Sequence, residues 1–424
     1  MKVGLAQIDV TPKVPVWMTG YANRDHKSEG TYAALNAGAV YLQGDSDCTL
    51  ILTADVIGYT PPYDAEVRQA IADVTGLLPR QIVLTATHTH CAPFLSQWNM
   101  PGEVELEYAA WLMERFQMAA MQAISQAASG RVGHSRGQSA FGVNRRRPDG
   151  EGGILFAPHP DGPIDRDLDT LWFYGESDVL LGSLTIYGCH PTSVGGYDIG
   201  PDYPGFLCRQ LETDTTAPAL FATGCAGDVR PWFGGQPADE FPRPDLEELE
   251  AAGINMAREV IAARSTEQTV AAEALGVDHV FHGLPYDQRM KDEQLRARAA
   301  GDDPWLKAWA HLMLNQREHG NLATHCPHEI QIVKLNDDFQ IVFLGGEVLS
   351  EIGLHIKQVL APATTITVAY ANGLIAYVPS ANAHPLGGYE VDGSHHYFRR
   401  PARFTAEIES LIVTQTQALC QRLG

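Results

Sequence analysis

The sequence predicts an α/β fold in which mixed β-sheets are flanked by helices, and two observations carry that prediction. Short β-branched apolar runs alternate with longer amphipathic patterns along most of the 424 residues, the rhythm of strands and the helices that cover them. Two of these runs, 329–335 and 340–345, are separated only by Asn336-Asp337-Asp338-Phe339. So short a connection implies antiparallel pairing, and the sheets are therefore mixed rather than purely parallel.

The first strand is predicted over residues 1–10, where side chains alternate with a period of two before Thr11-Pro12 stops the run. Further strands are predicted at 39–43 and 49–57, and a helix at 63–75. The run 81–88 is short, rich in β-branched residues and preceded by Pro79 and Arg80 after a Gly-Leu-Leu turn, so it reads as a strand. A helical pattern at 104–128 precedes strands at 171–174, 179–190 and 219–223. In 179–190 one face carries Leu184, Ile186, Gly188 and His190, with Pro191 next. The second half reads as a helix at 245–264, a strand at 271–281, helices at 287–300 and 305–318, the two hairpin strands, a helix at 348–360, a strand at 365–371 and a last helix at 402–423. Two stretches lack a period, 142–167 with Arg145-Arg146-Arg147 and 195–205 with Asp198 and Asp202. Loops of that length tend to be functional or disordered, which makes their polar residues candidates.

The length allows two or three domains or one large α/β unit. No internal repeat, low-complexity segment or Pro/Gly-rich spacer divides the chain, so a single domain over residues 1–424 is expected. Thirty Lys plus Arg against 51 Asp plus Glu give a net charge of −21, which disfavours nucleic acid or an anionic membrane surface as partner. No run reaches the roughly 18 apolar residues of a membrane helix, and the N-terminus lacks a basic-then-apolar signal region. Seven cysteines, odd in number and without CxxC pairing, fit a reducing cytoplasm better than a disulfide framework or zinc ribbon.

The chemistry concentrates where apolar runs end. His88 and His90, in Thr-His-Thr-His, would share one face of a strand by its two-residue period, with Thr89 opposite. An HxH alone reads equally as a ligand pair or as two ordinary histidines. His190 ends a second run. Phe343-Leu344-Gly345-Gly346-Glu347 takes an apolar run through two glycines to a carboxylate, which is either a site residue or a helix N-terminal acid. Tyr377 lies between Asn372-Gly373 and Pro379, where by itself it would be a packing residue.

Together these segments resemble the neutral and alkaline ceramidase family, amidases that cleave the N-acyl bond of ceramide. The resemblance runs in order through VGLAQIDVTP, Met18-Thr19-Gly20-Tyr21-Ala22, Thr-His-Thr-His with Pro93, Val143-Asn144-Arg145, His190-Pro191-Thr192-Ser193, Gly227-Asp228-Val229, Gly346-Glu347, and the segment from Tyr377-Val378 to Tyr389-Glu390. It implies the catalytic-domain fold of that family and one zinc ion held by His88, His190, Glu347 and Tyr377. Mixed N/O ligands with an open position suit catalytic zinc, and a nearby cation favours a Tyr phenolate. His90, two residues from a ligand on the same face, could donate to the oxyanion or shuttle a proton, the resemblance implies that Arg145 lies on the substrate side, and Arg145 and Tyr377 join His90 in the expected catalytic set.

Two departures bear on substrate and mechanism. The family's nucleophilic serine is expected in Gly-Asp-Val-Ser-Pro, whereas here the string is Gly227-Asp228-Val229-Arg230-Pro231, so an acyl-serine route at that position is excluded. Arg230 would bind an anionic substrate group by bidentate pairing, or pair with Asp228, Asp202 or another carboxylate. Secreted members also carry a signal peptide and a C-terminal immunoglobulin-like domain, neither of which is read here. The expectation is a cytoplasmic zinc hydrolase that cleaves an amide of a soluble, anionic, acylated small molecule. An ester or lactone hydrolase with the same centre and a non-catalytic ligand-binding homologue are the alternatives. Asp228 is expected to orient a histidine ligand, Cys225 to be a small buried residue, His325-Cys326-Pro327-His328 to be a structural loop, and Arg146, Arg147, His395 and His396 to be exposed.

Overall fold

The computed structural model describes residues 1–234, 240–272 and 274–424. Three sheets dominate, and the fold is the mixed α/β architecture that the sequence predicts. The first orders Ile82–Ala86, Cys48–Ala54, Asn36–Gln43, Lys2–Asp9 and Ala128–Ser129. The second orders Ala219–Thr223, Leu180–Tyr187, Asp167–Tyr174, Arg131–Gln138 and Gln268–Val270. The third orders Gly276–Pro285, His325–Asn336, Phe339–Leu344 and Thr364–Val368. Each sheet is mostly antiparallel but has one parallel edge pair: Cys48–Ala54 with Ile82–Ala86, Leu180–Tyr187 with Ala219–Thr223, and Phe339–Leu344 with Thr364–Val368.

Both faces of each sheet are apolar, and strand alternation divides the residues between two kinds of core. Val40, Ile51, Val83, Leu184, Ile186, Val333, Ile341 and Phe343 point into one shared centre where the three sheets meet. Their neighbours face helices instead. Ala39, Tyr41, Leu50, Leu52 and Leu84 pack on Pro61–Thr75 and Leu106–Ser125, Ala219 and Phe221 on Asp202–Thr215 and Leu246–Ala263, and Ile332, Val342 and Leu344 on Ser350–Val359 and Ile408–Arg422. Double burial explains why these strands read as continuous apolar runs. Among the described residues no helix is long and apolar enough to cross a membrane.

Several expectations are corrected. The 142–167 stretch contains the strands Gly142–Pro148 and Ile154–His159, which pair with each other, and the first also pairs with Val229–Pro231. Polar arginines concealed the first of them, because its burial is achieved through ion pairs rather than apolar contacts. The 195–205 stretch holds the two-residue strand Asp198–Ile199 and the start of the helix at Asp202. The strand Arg131–Gln138 was also hidden, its RVGHSRGQ sequence being too polar to show a strand period. The strand predicted to begin at 329 starts at His325, so His325-Cys326-Pro327-His328 is not a loop. His328 is buried, and its ring spans His282 Nε2 at 2.8 Å and the Gly345 carbonyl at 2.9 Å.

Candidate metal centre

The C-terminal ends of the three parallel pairs converge on one place. Ile82–Ala86 leads to His88, Leu180–Tyr187 to His190, Phe339–Leu344 to Glu347 and Thr364–Val368 to Tyr370. Backbone bonds stitch these ends together. Thr223 Oγ1 donates to the Thr87 carbonyl at 2.6 Å, Ala369 N to the Thr223 carbonyl at 3.0 Å, and Tyr370 N to the Gly346 carbonyl at 3.1 Å.

The histidines do not lie on strands as expected. The first strand stops at Ala86, and His88 adopts a left-handed backbone with φ of 67°, so the Thr-His-Thr-His pair sits in the following turn. The second strand stops at Tyr187, three residues short of His190. The physical reason is reach: a strand would send successive side chains up and down a packed sheet, whereas the turns swing the rings off the strand ends into a common space. Backbone strain concentrates here, with Tyr370 also left-handed at φ 54° and Gly346 at φ 98°. At Gly346 a Cβ would lie 2.8 Å from the Ala376 carbonyl, so the turn that delivers Glu347 requires glycine.

Each of the three imidazoles is anchored through Nδ1 to a backbone carbonyl. His88 meets Ile57 at 2.5 Å, His90 meets Gly20 at 3.1 Å, and His190 meets Ala226 at 2.7 Å. A carbonyl only accepts, so each Nδ1 carries the proton and each Nε2 presents a lone pair. These Nε2 atoms point at one another and at Glu347. His88 and His90 are 3.3 Å apart through Nε2, and Glu347 Oε2 is 3.3 Å from His88 Nε2 and 2.9 Å from His190 Nε2. Tyr377 Oη lies 3.4 Å from His190 Nε2. His88, His190, Glu347 and Tyr377 are buried and His90 is half-buried.

Burial opposes charge on Glu347, and only positive charge on the His88 and His190 side of the site, which a cation there would equally supply, holds its carboxyl well below the usual range. Burial and the neighbouring rings of His88 and His190 keep His90 neutral, its pKa well below the ordinary histidine value. Burial, then the Arg145 guanidinium, brings His190 down to about 4. Neutral imidazole lone pairs facing a carboxylate repel unless a cation lies among them. Metal–donor bonds of about 2.0–2.1 Å in a tetrahedron place donors about 3.3 Å apart, close to the spacings observed here. The donor set therefore fits a metal ion, and the three histidine rings alone form a cluster able to hold one.

A second layer positions these groups. Arg145 donates from Nε to Glu390 Oε1 at 2.8 Å and from Nη2 to the Tyr377 hydroxyl at 3.1 Å, while Arg146 Nη1 reaches Glu390 Oε2 at 2.5 Å. Arg146 is thus buried rather than exposed, and Arg147 is half-buried, as are His395 and His396. Asp228 orients no histidine. Its carboxylate accepts from Ser350 N, Ser350 Oγ and Asn144 Nδ2, fixing a helix start against the strand that carries Arg145. Cys225 is buried as expected, and burial pushes its thiol up to about 12.

Arg230 is bound to neither of its expected carboxylates. Its Nε and Nη2 donate to Thr192 Oγ1 and the Thr192 carbonyl at 3.2 and 3.0 Å, and its guanidinium lies 4.7 Å over the Phe241 ring. Asp202 is instead committed to Ser193 and to the backbone of Val194 and Tyr203.

Three residues at the centre escaped the sequence reading. The Tyr370 ring lies tilted 4.1 Å from that of His88, Glu390 neutralises Arg145, and Tyr21 lies 5.1 Å from the His90 ring. Tyr21 and Glu390 fell inside recognisable strings, but nothing local marks Tyr370, which is one aromatic residue after an apolar run.

No protein-family model matches the chain, and no curated protein matches its sequence. Among solved structures, one described as neutral ceramidase from Pseudomonas aeruginosa is 18% identical, with a TM-score of 0.75 over 99% of this chain and 74% of that one. Another, described as ceramidase complexed with C2, is 17% identical, with a TM-score of 0.78 over 100% of this chain and 75% of that one. The chain shares the fold of these structures.

Proposed function

We propose that the chain is a zinc-dependent hydrolase that cleaves an amide bond of a soluble, anionic, acylated small molecule. The observation that carries this reading is the close set of three imidazole Nε2 lone pairs and a carboxylate oxygen facing one another, an arrangement that a divalent cation satisfies. The shared fold with ceramidase structures supports hydrolysis of an amide. His88, His190, Glu347 and Tyr377 would hold the ion, and mixed N/O donors suit zinc. When bound, zinc supplies a Lewis acid and activates water for attack on the carbonyl.

The remaining steps belong to the chain. His90 is the half-buried member of the group and offers Nε2 to take up and return a proton, or to hydrogen-bond the oxyanion. Burial, then Glu347, raises the pKa of the Tyr377 hydroxyl, Arg145 donates to it and works against that rise, and Glu390 holds Arg145 in turn. In this reading Arg145 is also the arginine on the substrate side. Arg230 supplies positive charge for the substrate's anion.

Elemental analysis of protein purified without added metal is expected to give about one zinc per chain, and chelation to abolish hydrolysis of a panel of soluble amides, esters and lactones. Metal-free protein with undiminished activity after chelation would remove the proposal. Activity on esters alone would replace the amidase reading with the esterase one.

A further inference from the structure

Beside the centre, Tyr21, Asn23, Arg24, Gly195, Gly196, Tyr197 and Arg243 line a cavity of about 250 Å³. Its wall is shared with the catalytic group. Gly20 accepts from His90 Nδ1, and the next residue, Tyr21, turns its ring to His90; Arg24 Nη1 donates to the His90 carbonyl at 2.7 Å.

Arg24 and Arg243 line this space, Arg230 lies near enough to act electrostatically on Tyr21 and Arg243, and none of the three has a carboxylate partner among the described residues. Arg24 is buried and spends its donors on the carbonyls of Gly196, Thr19 and His90 and on Cys91 Sγ. Arg230 is held by Thr192 and Phe241. Arg243 has no protein hydrogen bond among the described residues, and its guanidinium lies 4.8 Å over Tyr21. The ring of Tyr21 therefore neighbours both Arg243 and His90. Its hydroxyl donates to the Val194 carbonyl at 2.9 Å, and burial keeps it protonated, so it does not neutralise the arginines. Arg24, Arg230 and Arg243 make no ion pair among the described residues, and three such guanidinium groups in and beside one cavity give it a positive potential. The backbone admits Arg243 by design of space: a Cβ at Gly195 would come 1.9 Å from its Nη1.

We infer that this cavity is the carboxylate subsite of the enzyme, with Arg243 the specificity-determining residue that pairs with a substrate carboxylate while Arg230 supports it electrostatically. The inference rests on the amide-hydrolase reading and narrows its substrates to amides that carry a carboxylate a short spacer from the scissile carbonyl. A guanidinium fork matches a carboxylate in two parallel hydrogen bonds. Arg243 is exposed, so it reaches the ligand from the open side, whereas Arg24 and Tyr21 form the fixed floor.

The test uses two matched pairs on the zinc-loaded full chain: hexanoylglycine against hexanoylglycinamide, and the N-butyl monoamide of glutarate against the corresponding diamide. The expected result is that in one pair the anionic member has a kcat/KM at least about tenfold higher, as one charge-assisted pair allows. R243Q should remove that preference through KM while leaving the neutral members within about twofold. Equal rates within both pairs, or a preference that survives R243Q, would overturn the subsite and leave the amidase reading standing. If none of the four is cleaved, the amidase reading fails instead. Calorimetric binding of hexanoylglycine and the glutarate monoamide then decides the subsite: binding of either that R243Q abolishes supports it, and no binding, or binding unaffected by R243Q, overturns it.

Discussion

An imidazole that gives its Nδ1 proton to a carbonyl has one remaining function, the lone pair on Nε2, and three such rings meet here. Burial distinguishes their roles. His88 and His190 are enclosed with Glu347, while His90 is half-buried beside Tyr21. Glu347→Gln and His190→Ala are therefore expected to bring zinc far below one equivalent. His90→Ala should retain zinc and lose about 10²–10⁴ in kcat. Metal analysis beside steady-state rates separates the two, and a metal-free His90→Ala would show that the three histidines are the ligands. Gly20 gives a second residue-scale prediction. It has φ 100°, and a Cβ there would meet His90 Nδ1 at 2.4 Å. Gly20→Ala should cost about 1–3 kcal/mol in backbone strain, seen as a lower urea midpoint, and should slow turnover by displacing His90. A midpoint and kcat equal to the parent's would mean the turn relaxes freely.

At the scale of elements, the strand Gly142–Pro148 brings two arginines to one carboxylate on the Tyr389–Gly393 turn. This pairing joins the strand to the segment bearing Tyr377. Removing one partner of a buried ion pair strands the other, at about 3–5 kcal/mol. Glu390→Gln is expected to lower stability by that order and to reduce kcat, because Arg145 loses the group that aims it at Tyr377. Denaturant titration checks the first effect, and an unchanged midpoint would contradict it. Burial works against the Glu390 carboxylate, but Arg145 and Arg146 hold its pKa below the usual value. Its stabilising contribution is thus complete above the unfolded value of about 4.3 and is lost as pH falls through the depressed folded value.

For the whole molecule, other buried carboxyls act in the opposite direction. Asp55 accepts from Asn36 N, but burial raises its pKa to about 7. Between the unfolded value of about 3.9 and that folded value, the native state binds the extra proton. Stability should therefore decline as pH rises across this window, by up to about 1.4 kcal/mol per pH unit from this group. Asp55→Asn should flatten the decline. Urea midpoints of metal-free protein at several pH values measure it, and parallel profiles for parent and variant would assign the dependence elsewhere.

How much of this was legible in the sequence follows from what each feature depends on. Strands buried on both faces, such as Cys48–Ala54 and Phe339–Leu344, announce themselves as apolar runs, because the same burial that selects the side chains also fixes the strand. The ordered set of short motifs, through the family resemblance that it carries, marked His88, His190, Glu347 and Tyr377. Sequence thus determined the fold class and the segments that meet. Only the tertiary structure decided how they meet. Gly142–Pro148 is a strand because Glu390, far along the chain, neutralises its arginines, and the left-handed turn at His88 replaces the strand face that a two-residue period implies. Likewise Arg243 and Tyr21 line one cavity, and Tyr21 carries it to His90, through contacts between distant segments. Periodicity reports a residue's own burial, but which charges remain without a partner is set by the whole set of neighbours, and that set exists only after the chain has folded.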